Sequence, residues 1–235
     1  MRLDKYLAEM GVGTRQEVKK QIRQGKVTVN GTVVKAADTK IDETCDEVTI
    51  GGRNISYVSY EYYMLNKPGG VVSATEDRRD TTVIDLIKDK KRKDLFPVGR
   101  LDKDTEGLLL ITNDGDLAHR LLAPKKHVDK VYYAKVTGIV TEEDVERFAQ
   151  GIDIGTDEEE MTRPAQLDIL KSGEESEIRL TIHEGKFHQV KRMFQAVKKE
   201  VTYLKRERMG TLCLDEDLKP GEYRLLTEEE IENVR

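Results

Sequence analysis

The first fifty residues contain a strong signal for a tight β-hairpin. Residues 27–34 read Val-Thr-Val-Asn-Gly-Thr-Val-Val, so an Asn-Gly pair separates two short runs rich in β-branched residues. Asn and Gly tolerate the positive φ angles that a two-residue hairpin turn requires, and few short-range signals are stronger. The chain is therefore predicted to reverse its direction at Asn30 and Gly31.

Two helices are predicted before this hairpin. The first has apolar residues at the spacing of one helix face: Leu3, Tyr6, Leu7 and Met10. The second follows a capping-box sequence, in which Thr14 is followed three residues later by Glu17, and it is predicted to stop at Gly25. Residues 1–50 therefore read as a compact helix–helix–hairpin unit.

The net charge of −5 conceals two basic regions. Residues 1–40 hold nine basic against four acidic residues, and residues 186–208 hold eight against two. On the second predicted helix, Arg15, Lys19 and Arg23 repeat every four residues and share one face. Basic surfaces can bind a polyanion even on an acidic protein, because phosphate contacts are short-ranged at cellular salt. The alternative is that these charges form an ordinary solvated surface.

The composition argues against several classes of protein. No apolar run approaches the roughly 18 residues that a membrane helix needs, and the N-terminus lacks the apolar stretch of a signal peptide. Cys45 and Cys213 are too few for a disulfide framework or a structural zinc site, and we expect them and His183 to be structural. The glycine fingerprints of nucleotide-binding loops are absent. We expect a cytoplasmic protein with no metal, no cofactor and no membrane partner.

The remainder of the chain is mostly strand-like, with helices interspersed. An acidic patch and the Gly51-Gly52 pair place a domain boundary somewhere in residues 45–60. Apolar patterns then predict strands at 108–111, 131–136 and 178–182, and helices at 141–151 and 190–197. A second capping box, Thr227 with Glu230, predicts a helix in the C-terminal tail.

The N-terminal unit resembles the S4 RNA-binding domain. The matching stretches are residues 2–7, 11–17 and 25–31. The resemblance implies a small α/β domain in which a basic helix beside a tight hairpin presents cations to the phosphates of folded RNA. RNA helices are recognised largely through shape and backbone, a task that suits lysine and arginine. The alternative is a small structural appendage with a charged surface.

A polar loop precedes the strand predicted at 108–111. Residues 97–107 read Pro-Val-Gly-Arg-Leu-Asp-Lys-Asp-Thr-Glu-Gly, with acids at 102, 104 and 106. An aspartate at a loop–strand junction can cap a turn, bind a metal or act as a nucleophile. No His or Cys lies nearby in sequence, which disfavours a transition-metal site. Taken alone, the loop favours a structural role.

Three further stretches accompany this loop in a fixed order, at residues 65–70, 130–132 and 184–193. Together they resemble the pseudouridine synthases of the RsuA branch, which isomerise uridines in ribosomal RNA. The resemblance implies an α+β protein, with an S4 domain over 1–55 and a catalytic domain over 60–235. It implies a mixed, mostly antiparallel sheet with the active cleft across its middle. Within that branch, the length and the lack of long tails indicate the 16S rRNA of the small subunit as substrate.

The resemblance also implies roles for four residues. Asp102 matches the catalytic aspartate, which attacks the ribose C1′ or the uracil ring while the glycosidic bond breaks; uracil then rotates and is rejoined through C5. Tyr132 matches the tyrosine that stacks on the target base and helps to remove the C5 proton. Lys191 stands where many relatives carry an arginine that pairs with the aspartate, and lysine keeps the charge but loses the bidentate geometry. Leu204 matches an apolar residue near the base.

Polar residues of the matched stretches are expected to contact RNA. They are Arg2, Lys5, Arg15, Lys19, Arg23 and Lys26 in the S4-like unit, and Lys67, Arg100, Lys130, Lys186, Gln189 and Arg192 in the catalytic domain. His188 is expected to form local hydrogen bonds or to approach RNA, and it is left outside the catalytic set. We expect a monomer that binds structured ribosomal RNA.

Three alternatives remain open. A non-catalytic S4-type RNA-binding or ribosome-assembly protein would bind RNA without isomerising it. A large-subunit rRNA pseudouridine synthase would share the same motifs. A glycoside hydrolase using Asp102 with Asp104 or Glu106 would need a second acid facing the first across a cleft.

Overall fold

The computed structural model describes residues 1–123, 127–155, 158 and 160–235, which form two compact units. One unit comprises Met1–Glu61 and Lys88–Leu95, and the other comprises Tyr62–Ile87 and Phe96–Arg235. The sequence analysis placed Lys88–Leu95 in the second domain, and no local pattern signals that this segment groups with the first unit. Within the described ranges, no helix is both long enough and apolar enough to cross a bilayer.

The first unit combines two helices with a small antiparallel sheet. Its elements are α1 Leu3–Glu9, α2 Arg15–Arg23, β1 Val27–Val29, β2 Thr32–Val33, β3 Val48–Ile50 and β4 Arg53–Asn54. The strand order is β2-β1-β3-β4, and one apolar cluster joins residues of both helices to residues of β1 and β3. The helix–helix–hairpin prediction is therefore confirmed.

Local chemistry accounts for the boundaries of these elements. Asn30 and Gly31 have φ angles of 49° and 76°, as a tight hairpin turn requires, and Val29 pairs with Thr32 on either side of them. The capping box of α2 is also present. The Thr14 amide donates to Glu17 Oε2 at 2.7 Å, and the Glu17 amide donates to Thr14 Oγ1 at 3.3 Å.

The second unit is an α+β domain. Its strands are β5 Tyr62–Lys67, β6 Phe96–Pro97, β7 Glu106–Thr112, β8 Lys130–Thr137, β9 Gln166–Lys171, β10 Glu175–Ile182, β11 Glu200–Met209, β12 Leu212–Cys213 and β13 Tyr223–Leu225. Its helices are α3 Val83–Leu86, α4 Gly115–Leu122, α5 Glu142–Gln150, α6 Gln189–Ala196 and α7 Glu228–Val234. The helices predicted at 141–151, at 190–197 and in the tail are confirmed as α5, α6 and α7.

These strands form one mixed, mostly antiparallel sheet. Its main order is β13-β5-β7-β11-β8-β10-β9, with β6 paired to β7 and β12 paired to β11. Only the central pair β7–β11 is parallel among the pairings of the described strands. The sheet architecture expected from the family resemblance is therefore confirmed.

One glycine permits the close approach of the two central strands. Gly107 has a φ of 98°, and a Cβ atom placed on it would lie 2.3 Å from the carbonyl oxygen of Arg206 on β11. The loop that carries Asp102 enters β7 at this point, so the parallel pairing of β7 with β11 brings that loop to the middle of the sheet.

Candidate active site

The residues singled out by sequence meet in one cleft of the second unit. Asp102 from the loop before β7, Tyr132 from β8, Lys191 from α6 and Leu204 from β11 all line it. Tyr132 and Leu204 are 8% and 6% exposed, so they form an apolar floor. Asp102 retains 29% of its side-chain exposure and remains accessible from the solvent side.

Lys191 lies between two carboxylates of the loop. Its Nζ atom is 3.4 Å from Asp102 Oδ2, but it is 2.6 and 2.8 Å from the two carboxylate oxygens of Asp104. The hydrogen bond from Lys191 holds the pKa of Asp104 below its ordinary value. One ammonium group thus keeps two negative charges in place, and its shorter contacts are to the carboxylate that sequence reasoning had not assigned to it.

His188 is the second nitrogen-bearing neighbour of Asp102. Its Nε2 atom lies 3.6 Å from Asp102 Oδ1, beyond hydrogen-bond distance. The residue occupies the left-handed region, with a φ of 49°, immediately before α6. Phe187 stacks on the imidazole, with ring centroids 3.8 Å apart, although its own side chain is 74% exposed. The cleft therefore carries an exposed aromatic face beside it.

The backbone of the Asp102 loop is held by buried side chains. The Ser73 hydroxyl donates to the Leu101 carbonyl at 2.8 Å and accepts from the Leu101 amide at 3.1 Å. The ammonium group of Lys67 donates to the carbonyl oxygens of Pro68, Lys103 and Thr105, at 3.0, 3.2 and 2.8 Å. These contacts fix the chain on both sides of the aspartate.

The position of Lys67 corrects one prediction. Its side chain is fully buried, so it has no surface to offer to RNA, and the RNA contact expected from sequence is replaced by a role in supporting the loop. Burial lowers the pKa of Lys67 to about 8, although the carboxylates at 104, 106 and 102 act in the opposite direction. A lysine beside a Pro-Gly turn reads as exposed, which is why sequence reasoning missed this role.

Two further predicted RNA contacts are altered by burial. Gln189 is 4% exposed, and its amide donates to Glu184 Oε1 at 2.9 Å while its carbonyl oxygen accepts from the Lys186 amide at 2.9 Å. It therefore supports the wall of the cleft. Lys130 donates to the Val128 carbonyl at 3.2 Å, and burial lowers its pKa.

The other predicted contacts carry their charge at or near the surface. Arg100 and Lys186 line the cleft, while Arg192 forms an ion pair of 2.6 Å with Glu160. In the first unit the side chain of Arg2 is 53% exposed but bonded to Asp4. The other predicted RNA contacts of that unit are exposed or partly exposed: Lys5, Arg15, Lys19, Arg23 and Lys26.

The donor set of the cleft gives no sign of a metal centre. Among the described residues, no three side chains of the His, Cys, Asp or Glu type come together in an arrangement that could hold a metal ion. Asp102 is also the one carboxylate that lines the cleft in the described part of the chain. Glu106 accepts a hydrogen bond of 2.8 Å from the Tyr203 hydroxyl instead. Asp104 is bonded to Lys191 and does not line the cleft either, so the cleft lining of the described residues offers one acid, whereas a glycoside hydrolase needs two that face each other.

Comparison with known proteins identifies the class. Residues 61–196 match the family model for RNA pseudouridylate synthase, and residues 1–48 match the model for the S4 domain. The chain therefore belongs to the RNA pseudouridylate synthase family and carries an N-terminal S4 domain. It is an isomerase that acts on RNA.

Individual relatives are similar along their whole length. The chain is 49% identical to an uncharacterized RNA pseudouridine synthase, YtzG, of Bacillus subtilis, over 98% of this chain and 97% of that protein. It is 41% identical to the ribosomal small subunit pseudouridine synthase A of Escherichia coli strain K12, over 100% of both chains. A crystal structure of a pseudouridylate synthase matches with 39% identity and a TM-score of 0.70, over 100% of both chains.

Proposed function

We propose that this enzyme converts a uridine of 16S ribosomal RNA to pseudouridine, with Asp102 as the nucleophile. The observation that carries the nucleophile assignment is the position of Asp102, which opens on the cleft between Lys191 and the apolar floor of Tyr132 and Leu204. The substrate assignment is supported by the similarity to the small subunit enzyme of Escherichia coli, which extends over 100% of both chains. Such a substrate implies a cytoplasmic location.

The chemistry requires a charged carboxylate and a nearby cation. A carboxylate is ionised at neutral pH without an activating base. The Lys191 ammonium group lies 3.4 Å from Asp102 Oδ2, where it orients the carboxylate. In the proposed reaction Asp102 attacks the ribose C1′ or the uracil ring as the N1–C1′ bond breaks. Uracil then turns, a C5–C1′ bond forms as the bond to Asp102 breaks, and the proton lost from C5 is balanced by one gained at N1. Nothing is oxidised, reduced or hydrolysed overall, so the reaction needs no cofactor.

Access to the reacting atoms requires the nucleotide to leave its stack. Extruding a base costs on the order of a few kcal/mol, and stacking on an aromatic ring returns about 1–3 kcal/mol. Tyr132 lines the floor of the cleft, where its ring would take the extruded uracil, and Leu204 lies beside it on the neighbouring strand. The tyrosine hydroxyl is proposed to assist the removal of the C5 proton.

The test combines mapping in cells with purified RNA. Pseudouridines are mapped in ribosomal RNA from cells lacking the protein, and the same cells are complemented with wild type or Asp102→Asn. The expected result is one 16S uridine whose modification is lost, and is restored by wild type alone. Purified Asp102→Asn should bind a 16S transcript as tightly as wild type does.

Other outcomes would support the alternatives. A site in 23S rRNA would assign the enzyme to the large subunit. An unchanged map with retained RNA binding would indicate the ribosome-assembly protein. Full activity in Asp102→Asn would refute the nucleophile assignment while leaving the substrate assignment intact.

A further inference from the structure

A turn beside the cleft carries two ring-bearing side chains at positions where turns ordinarily carry small polar ones. The Gln189 amide donates to the Lys186 carbonyl at 3.2 Å, and the Lys186 amide donates to Gln189 Oε1 at 2.9 Å. Phe187 and His188 are therefore the two central residues of a closed four-residue turn that leads into α6. Glycine, asparagine, aspartate and serine dominate such positions, because they tolerate positive φ angles or bond to the local backbone.

Both central residues are unfavourable in the free protein. His188 has a φ of 49°, in the left-handed region that disfavours residues with a Cβ atom. Phe187 is 74% exposed, more than any other large apolar residue that is exposed in the described chain. Its ring therefore leaves in water an apolar surface that burial would stabilise. Unfavourable features of this kind persist where a function requires them.

The Phe187 ring nevertheless has a defined direction. It stacks on the His188 imidazole with the ring centroids 3.8 Å apart and an angle of 19° between the planes. The Arg192 guanidinium donates to the Phe187 carbonyl oxygen at 3.2 Å and to the Ile154 carbonyl oxygen at 3.1 and 2.6 Å, which ties down the tip of the turn. The imidazole covers one face of the phenyl ring, and the high exposure of the residue leaves the other face open to solvent.

This aromatic pair, Phe187 and His188, adjoins the cleft. His188 lines the cleft and has its Nε2 atom 3.6 Å from Asp102 Oδ1, so the phenyl ring stands one imidazole away from the proposed nucleophile. Arg100 lines the same cleft and is exposed. Its guanidinium is a group that suits phosphate. A charged backbone and a flat base are thus both provided for at this place.

We propose that the aromatic pair is a stacking platform for the base of a nucleotide next to the target uridine. When a nucleotide is extruded from its stack, the neighbouring base loses one stacking partner. An exposed ring beside the cleft replaces that partner, and such a contact contributes roughly tenfold in affinity for each base. Every base has a flat face, so the platform positions the strand without reading its sequence. The inference rests on the proposed extrusion of a uridine into this cleft and not on the choice of 16S rRNA.

A tryptophan at position 187 tests the contact directly. The chain contains no tryptophan, so the full-length variant Phe187→Trp has a single indole. Leu225→Trp, at a 57% exposed position on the edge strand β13, is the matched control. Both variants are titrated with a 16S rRNA transcript while tryptophan emission and its quenching by acrylamide are recorded. We expect RNA to quench the emission of Phe187→Trp and to lower its acrylamide quenching constant several-fold, with little change in Leu225→Trp.

A second measurement identifies the partner as a base. Wild type, Phe187→Leu and Phe187→Trp are bound to a short synthetic RNA that carries the mapped uridine, and to the same RNA with an abasic nucleotide on one or the other side of it. We expect Phe187→Leu to bind the intact RNA roughly tenfold more weakly than wild type, and Phe187→Trp to bind it as wild type does. With one of the two abasic RNAs, wild type and Phe187→Leu should have equal affinity. Leu225→Ala is the control and should match wild type on all three RNAs.

Two results would overturn the proposal. One is an unchanged emission of Phe187→Trp at saturating RNA, and the other is an equal loss of affinity in Phe187→Leu for the intact RNA and both abasic RNAs. All of these readouts report binding alone. A wild-type protein that does not bind the 16S transcript would refute the proposed substrate, and the same fluorescence titration with a 23S transcript would still decide the role of the aromatic pair.

Discussion

Replacing Lys67 with methionine should change how stability depends on pH. The ammonium group is fully buried, and burial lowers its pKa from the ordinary value of 10.5 to about 8. Between these two values the unfolded chain holds a proton that the folded protein has released. Raising the pH through this interval therefore favours the folded state, and below pH 8 the cost of burying the charge is present in full.

The size of the effect follows from the two pKa values. The difference between 10.5 and about 8 corresponds to about 3 kcal/mol, at about 1.36 kcal/mol for each pKa unit. The free energy of unfolding of wild type should thus gain about 3 kcal/mol between pH 7 and pH 10.5, relative to that of Lys67→Met. Methionine also leaves three carbonyl oxygens without their donor, but that loss does not vary with pH.

Urea unfolding followed by far-UV circular dichroism measures this difference. The chain contains nine tyrosines and no tryptophan, so fluorescence would report tyrosine ionisation at the upper end of the range. Lys219→Met, at an exposed position of the same unit, is the control and should follow the wild-type profile. If the free energies of unfolding of wild type and Lys67→Met change in parallel from pH 7 to pH 10.5, the argument that the ammonium group is desolvated is wrong.

Three further predictions concern the active site and the sheet. Asp104→Asn should lower kcat by less than about tenfold, because the side chain is 73% exposed and its ion pair with Lys191 is largely solvated. A thousandfold decrease of the rate in single-turnover assays would instead show that Asp104 takes part in catalysis. Phe187→Ala should raise KM for RNA roughly tenfold with no change in Tm, because the residue is 74% exposed and its ring offers a face on which a base can stack. If stacking is the cause, Phe187→Leu should raise KM by the same amount as Phe187→Ala. Gly107→Ala should destabilise the protein by roughly 2–4 kcal/mol, because its Cβ would lie 2.3 Å from a carbonyl oxygen at a φ of 98°. Gly115→Ala, which meets nothing within 4 Å, is the control, and equal urea midpoints for the two variants would contradict the steric argument.

Local sequence signals predicted the first unit well. The Asn30-Gly31 turn and the Thr14–Glu17 capping box act within a few residues, so their geometry can be read without knowledge of distant contacts. The segment Lys88–Leu95 shows the limit of that reading. Its place in the first unit depends on Glu9, Val58 and Glu61, which lie far away in sequence.

The candidate active site was predictable only in part, and it was predicted from the family resemblance rather than from local signals. The order of four motifs, through the family resemblance, brought Asp102, Tyr132 and Lys191 together. The residue pattern of the Asp102 loop, taken alone, predicted only a structural role. The family resemblance also predicted that Lys67 contacts RNA. A matching motif gives the identity of a residue but not the direction of its side chain. The burial that gives Lys67 its role arises from long-range packing.

The Asp102 loop is held mainly through its backbone atoms, so several of its side chains are not needed to maintain its shape. Lys67 binds main-chain carbonyl oxygens at residues 103 and 105, and Ser73 binds the main chain of residue 101. The backbone shape of the loop therefore does not depend on side chains such as that of Lys103. The Lys103 ammonium group donates to Asp80 Oδ1 at 2.8 Å, away from these backbone contacts. We therefore expect that the side chain at position 103 can vary in sequence while the backbone around Asp102, the proposed nucleophile, keeps its position.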